Sequence, residues 1–269
     1  MSVADYEVIL KKIRKHPIQE IKLMGMGEPY LHPRFSEICA LTRKYFPDAF
    51  IISATNCQYK LNENFKDSLQ HIDLLYLSID GWGELYEKYR PPSKWSVLLK
   101  FLNDLKDIDR GRAKLAINYT LNPENIFDVV KMPGLIEQYN LDELRINLVQ
   151  NWSEEESDAE LISGFTSDHI QFLRENFSEQ IKGKAVWDFN DCFWVQNGLY
   201  VTCTGDIKIC CMNTSTAPIG NLIKDPAVSL SWGNKRFQAI KHGCETNNPE
   251  THCANCSYKE LVPILSSIL

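Results

Sequence analysis

Short apolar runs alternate with longer amphipathic segments through the first half of this chain. IKLMG (21–25), AFIISAT (49–55), DLLYLSID (73–80), KLAINYTL (114–121) and ELRINLVQ (143–150) are rich in Ile, Leu, Val and Tyr, the residues that suit a pleated, buried surface. Between them, PRFSEICALTRKYF (33–46), ENFKDSLQH (63–71), SVLLKFLNDLKDI (96–108) and NIFDVVKMPGLIEQY (125–139) repeat apolar positions at three- and four-residue spacing, the period of a helix with one buried face. Residues 4–15 add a leading helix. Strand and helix in strict alternation predict consecutive βαβ units and a parallel sheet. Strands in this order predict an α/β fold, a partial (βα) barrel. The acidic stretch NWSEEESDAELISG (151–164) breaks the pattern and reads as a solvated linker. One helix-like segment (165–180) and a small cysteine-rich C-terminal module follow. The expected division is therefore 1–164 for the barrel and 165–269 for the connecting helix and module.

Composition narrows the class. At 269 residues and 44% hydrophobic content, the chain buries a sizeable core. A formal net charge of −6 and no long basic run argue against a nucleic-acid partner. The longest apolar stretches, IDLLYLSI (72–79) and LVPILSSIL (261–269), are far shorter than the roughly 20 residues that span a bilayer. MSVADYEVILKKIRKH has no signal-peptide apolar core. The expectation is a cytoplasmic protein with no membrane partner.

Nine cysteines add chemistry. Cys39 and Cys57 stand alone, whereas Cys192, Cys203, Cys210, Cys211, Cys244, Cys253 and Cys256 crowd into the C-terminal module. In a reducing compartment such a group points to a metal site rather than to disulfides. From Cys192 the spacing is Cys-x12-Gly-x4-Cys, ending at Cys210. WVQNGLYVTCTGDIKICC reads as a β-hairpin with its turn at TGD. A hairpin brings Cys192 and Cys210 to one centre. THCANC then supplies Cys253 and Cys256 at the Cys-x2-Cys spacing that turns both sulfurs toward one metal. Four thiolates suit a structural Zn²⁺ ion or a 4Fe–4S cluster, and the residues alone leave both open beside ordinary buried thiols. Cys211 is an alternative to Cys210, Cys244 a possible addition to the set, and His252 a neighbour rather than a ligand. None of the six histidines forms the pair that a zinc hydrolase needs.

The loop LMGMGEPYLHP (23–33) leaves the first strand through two glycines, which allow positive φ and a close backbone approach to a ligand. Glu28-Pro29 then fixes an extended exit. Other strands end in polar residues in the same positional sense: Thr55 and Asn56, Ser78 and Asp80, and Asn118 within the strand at 114–121. Arg90 follows in ELYEKYRPP, placed to close over them. Singly each is a cap, a turn or a surface ion-pair partner. Together they predict a cleft at the C-terminal ends of the strands, where barrels build their sites.

GMGEPYLHPRF resembles the Gly-x-Gly-Glu-Pro loop of radical S-adenosylmethionine enzymes. The likeness continues in order through SATNC (53–57), LSIDGWGELYEKYR (77–90) and INYTLNPEN (117–125). The Cys-x12-Gly-x4-Cys arm, IGNL (219–222), SLSWGNKRF (229–237) and the final Cys-x2-Cys are similar to the auxiliary-cluster module called the SPASM domain. The resemblance implies that Gly25, Met26, Gly27, Glu28 and Pro29 hold the methionyl amino group of S-adenosylmethionine. It places Thr55, Asn56, Ser78 and Asn118 near the ribose and carboxylate, and Asp80 and Arg90 facing cofactor or substrate. It makes Cys192, Cys210, Cys253 and Cys256 the ligands of an auxiliary 4Fe–4S cluster. The implied chemistry is reductive cleavage to a 5′-deoxyadenosyl radical that abstracts hydrogen from a peptide, protein or small sugar-like substrate. An electron donor such as flavodoxin or ferredoxin is the implied partner.

That family ligates its radical-generating cluster through Cys-x3-Cys-x2-Cys after a first strand, upstream of the helix that corresponds to residues 4–15. No cysteine here precedes Cys39. The expectation is a truncated enzyme lacking the first barrel strand, inactive as written. The competing expectation is a non-catalytic metal-binding interaction protein on a degenerate scaffold.

Overall fold

Five short strands with buried, branched side chains pair in the order in which they occur. The computed structural model describes residues 1–150, 164–181, 192–212, 217–225, 233–254, 256 and 258–268. By their contacts these residues fall into two units, Pro17–Val149 with Gly164–Gly183, and Met1–His16 with Gln150–Ser163 and Lys184–Leu269. The division differs from a single boundary at 164/165. A parallel bridge from Ile146 to Ile181, with the Ile146 amide donating to Gln180 O at 2.8 Å, ties the segment after 164 to the sheet. The acidic stretch 151–163 lies outside the described residues.

In the sheet unit, β1 (Glu20–Leu23), β2 (Phe50–Thr55), β3 (Leu74–Ser78), β4 (Lys114–Leu121) and β5 (Glu143–Leu148) form one parallel sheet in that order. The connections contain α2 (Phe35–Tyr45), α3 (Glu63–Leu69), α4 (Glu84–Tyr89), α5 (Trp95–Leu105) and α6 (Met132–Tyr139), with α1 (Val3–Ile13) preceding β1 in the chain. The expected helix at 125–139 is a 3-10 turn (Ile126–Lys131) followed by α6, whose second residue is Pro133. Proline is tolerated in a first turn, where its missing N–H is not needed. α4 was not expected from its charged sequence. α7 (Ser167–Phe177) completes the unit, with Thr166 and His169 forming a reciprocal cap.

Alternation decides which face is core. Ile51, Leu75, Leu77, Leu115, Ile117, Tyr119, Leu121 and Ile146 are buried to 1% exposure or less. An aromatic group continues this core. Tyr30 meets Phe35 edge-on at 4.8 Å, and Phe65 meets Phe101 at 5.6 Å. The opposite face carries the register neighbours Ala54, Tyr76, Ala116 and Glu143 in one row, and Ser78, Asn118 and Arg145 in the next. Near the strands' N-terminal ends the buried carboxylate of Asp73 accepts from the Ile51 amide at 2.7 Å and pairs with Arg43 at 2.5 Å and Arg112 at 2.7 Å.

The second unit contains α1, capped by Ser2, and the cysteine module. Its regular elements are α8 (Phe193–Gln196), β6 (Tyr200–Val201), β7 (Asp206–Lys208), β8 (Gly220–Asn221), α9 (Lys235–Glu245), α10 (Thr251–Ala254) and α11 (Tyr258–Ile268). The hairpin expected from WVQNGLYVTCTGDIKICC is present only from Tyr200 onward, because Phe193–Gln196 is helical. A third short strand, β8, pairs with β7. Gly205 makes the turn at φ 83°, and a Cβ there would lie 2.6 Å from the Ile223 side chain.

Asp73→Ala leaves Arg43 without its buried partner and removes the acceptor of the Ile51 amide. We expect a loss of about 3 kcal/mol or more, measured by denaturant unfolding. A loss under about 1 kcal/mol, the range of exposed pairs, would refute this role.

Candidate functional site

The C-terminal ends of the parallel strands gather the polar residues singled out in the sequence. Beyond β1, Gly25, Met26 and Gly27 are exposed, Met26 at 90%. The positive backbone angle expected of this turn falls on Gly27, at φ 101°. Glu28 then acts as a clamp. One carboxylate oxygen accepts from the Tyr30 amide at 3.2 Å, capping the 3-10 turn that starts at Pro29. The other accepts from the Asn56 amide at 2.6 Å, which joins the loop after β1 to the loop after β2. Burial pushes the Glu28 carboxyl above its ordinary range, and the two amide hydrogen bonds pull against that rise.

Next along the rim, Thr55 is buried and its hydroxyl oxygen accepts from the Cys57 amide at 3.1 Å and lies 2.8 Å from the Tyr59 hydroxyl. The Asn56 side chain accepts from the Gln58 amide at 2.9 Å. Cys57 occupies the left-handed region at φ 60°, and its thiol is buried and pushed up by that burial. Asp80 is also spoken for. It accepts from the Thr120 amide at 2.5 Å and pairs with Arg90 at 2.5 Å, while its carbonyl accepts from Asn125 at 3.1 Å. Burial raises the Asp80 carboxyl, with the Arg90 charge opposing.

The predicted residues thus divide by geometry. Glu28, Thr55, Asn56 and Asp80 hold the loops that form the rim. The Gly25–Gly27 backbone, Ser78 and Asn118 lie open or half-buried, and Arg90 keeps its guanidinium partly exposed beside Asp80. Exposed amides on a turn and a row of hydroxyl, amide and guanidinium groups fit a zwitterionic ligand that also carries hydroxyls. Sequence reading missed Asn147, which donates to Asn118 at 2.8 Å, and Arg145, which donates to the Tyr76 hydroxyl at 2.5 Å and stacks over its ring at 5.3 Å. Their only signal is alternation along ELRINL, which sets Arg145 and Asn147 on one face.

In the cysteine module, Cys253 is half-buried, and the charges of Cys244, Cys210, Cys192 and Cys256 all bear on it. With burial, they push its thiol well up. Of the four thiols predicted from spacing, Cys192 is the residue before α8, Cys253 lies in α10, and all four are partly buried. Burial raises the Tyr200 phenol, and the charges of Cys211, Cys203 and Cys210 add to that rise. Among the described residues no three His, Cys, Asp or Glu side chains converge tightly enough to hold a single metal ion. The His252 side chain lies outside the described residues.

Residues 192–257 match the SPASM family, described as an iron-sulfur cluster-binding domain. No curated protein matches the sequence. Among solved structures, SuiB of Streptococcus suis bound to S-adenosylmethionine superposes with a TM-score of 0.64 at 11% identity, over 97% of this chain and 64% of that one. The chain thus spans less than two thirds of the SuiB length. Native anSMEcpe with bound AdoMet and the Kp18Cys peptide gives 0.59 at 15% identity, over 97% of this chain and 80% of that one. BtrN in complex with AdoMet and 2-DOIA gives 0.50 at 16%, over 91% and 74%. No helix among the described residues is long and apolar enough to cross a membrane.

Glu28→Gln isolates the clamp. A carboxyl raised in the folded state binds its proton more tightly there than in the unfolded chain, so its ionisation disfavours folding. Relative to the variant, the wild type should lose stability as pH rises from the ordinary value of 4.5 through the raised folded value, then stay level. Unfolding midpoints across pH test this, and the opposite slope would contradict the buried clamp. The described chain has the fold shared by SuiB, anSMEcpe and BtrN, and its C-terminal segment matches the SPASM iron–sulfur cluster-binding family.

Proposed function

We propose that this chain is the S-adenosylmethionine-binding and auxiliary-cluster part of a radical enzyme acting on a peptide or protein. The observation that carries the reading is one chain holding both an open polar rim at the ends of five parallel strands and a group of thiols within a segment matching an iron–sulfur domain. The peptides named with SuiB (precursor peptide SuiA) and anSMEcpe (Kp18Cys) support that substrate class over a sugar-like one.

The chemistry these groups supply when bound is one-electron: reduction of the sulfonium, hydrogen abstraction, and redox traffic or substrate ligation at the auxiliary cluster. The chain's residues do the positioning. Glu28 fixes the loop after β1 against the loop after β2, so that the Gly25–Gly27 amides and carbonyls face the methionyl end of the ligand. Ser78 and Asn118, in one row of the sheet, meet its carboxylate and ribose. Arg90, held by Asp80, adds a positive charge at the rim. Cys192, Cys210, Cys253 and Cys256 hold the cluster. An electron donor of the flavodoxin or ferredoxin type completes the scheme.

The radical step needs a further cluster, and the two cysteines of the sheet unit do not serve it. Cys39 and Cys57 are both fully buried, and their thiols are pushed up by burial. Purified without oxygen, residues 1–269 should carry about four irons and four sulfides. They should retain S-adenosylmethionine in equilibrium dialysis and leave it uncleaved under dithionite. Gly27→Val, which forces a branched side chain into the left-handed region, should weaken retention at least about tenfold, on the order of 1.4 kcal/mol. One zinc and no iron, or cleavage by this chain alone, would overturn the assignment.

A further inference from the structure

The open face of the sheet carries an arginine that the rim does not use. Alternation along β5 sets Arg145 on the face of Asn147, and the register puts it beside Asn118, with Ser78 beyond. Neighbouring strands lie about 4.8 Å apart, so a hydroxyl, an amide and a guanidinium stand side by side across β3, β4 and β5. In the row before them Ala116 separates Tyr76 from Glu143, and its short side chain lets Arg145 reach back across β4. There Arg145 Nη1 donates to the Tyr76 hydroxyl at 2.5 Å, and the guanidinium lies over the Tyr76 ring at 5.3 Å. Its Nε donates to Glu143 at 2.8 Å.

These contacts hold the group in place without satisfying it. Among the described residues Arg145 Nη2 donates no hydrogen bond, and the side chain is 27% exposed. Glu143 is itself 37% exposed, a setting in which ion pairs are weak, so the cation is left able to meet a second anion. A fixed guanidinium with a free N–H pair suits a carboxylate.

The position of Arg145 says whose carboxylate that is. Ser78 and Asn118, the nearer groups of the row, are assigned above to the carboxylate and ribose of S-adenosylmethionine. A hydrogen-abstracting radical forms on the carbon attached to that ribose, so the group next in line faces the molecule that gives up the hydrogen. Resting on the peptide reading above, we propose that Arg145 is a specificity residue that takes a carboxylate of the peptide substrate, and that Tyr76 positions it. An Asp or Glu side chain or a free C-terminus supplies that carboxylate.

The test uses the whole chain, reconstituted without oxygen, loaded with S-adenosylmethionine and immobilised. It is offered two pools of randomised, N-acetylated octapeptides, one amidated and one with free C-termini, and retained peptides are read by mass spectrometry. Wild type should enrich Asp and Glu over Asn and Gln, or free C-termini over amides, at least about tenfold. The first result names a side chain as the source, the second the chain end. Arg145→Met should abolish the preference, Arg145→Lys should keep part of it, and Arg145→Glu should favour Lys and Arg instead. Tyr76→Phe should lower it, and is the decisive protein if circular dichroism shows the Arg145 variants unfolded. A loaded wild type with no acidic preference, or a preference unchanged in Arg145→Met or Tyr76→Phe, would overturn the proposal. So would an Arg145→Met chain that no longer prefers S-adenosylmethionine to its decarboxylated analogue, since the guanidinium would then serve the cofactor. A wild type that retains neither S-adenosylmethionine nor iron would overturn the reading beneath it.

Discussion

The rim of the sheet depends on a carboxylate that the fold has taken out of water. Glu28 gives one oxygen to its own turn and the other to the next loop. A buried anion is costly unless it is hydrogen-bonded, and here both acceptors are used by main-chain amides. Those bonds join the loop after β1 to the loop after β2. The same device recurs at Asp80, which fastens β3 to β4 through the Thr120 amide and then holds Arg90. The acidic residues of the rim therefore act on the chain itself.

This arrangement explains why the sequence was informative about place and less so about role. The strand runs were legible because their apolar residues are buried on one face or both; the bounds read for β4 are those observed. α4 was hidden because half of ELYEKY is charged and it buries only Tyr86. The helical start of the expected hairpin was hidden for the opposite reason: FWVQ is aromatic and β-branched, a composition that suits a strand. In the site, Glu28 and Asp80 stood out by motif, but nothing in a motif says whether a carboxylate faces a ligand or an amide. Asn147 and Arg145 carried no motif, and only the register that sets Arg145 beside Asn118 brings them into view.

The cysteine module shows the limit of reading by spacing. Cys-x12-Gly-x4-Cys and Cys-x2-Cys mark four thiols, while Cys244, which no spacing rule contains, is buried on α9 beside Phe237 and Ile240. Cys253 sits in a helix of only four residues, so its position is set by contacts rather than by local propensity.

The cysteines of the sheet unit have a different consequence. Cys39 and Cys57 are both at 0% exposure, and burial pushes each thiol up, so neither offers the thiolate that reacts with electrophiles. Alkylation of the native chain is then a selective reporter. Every adduct it yields comes from the C-terminal module, where Cys203 is exposed.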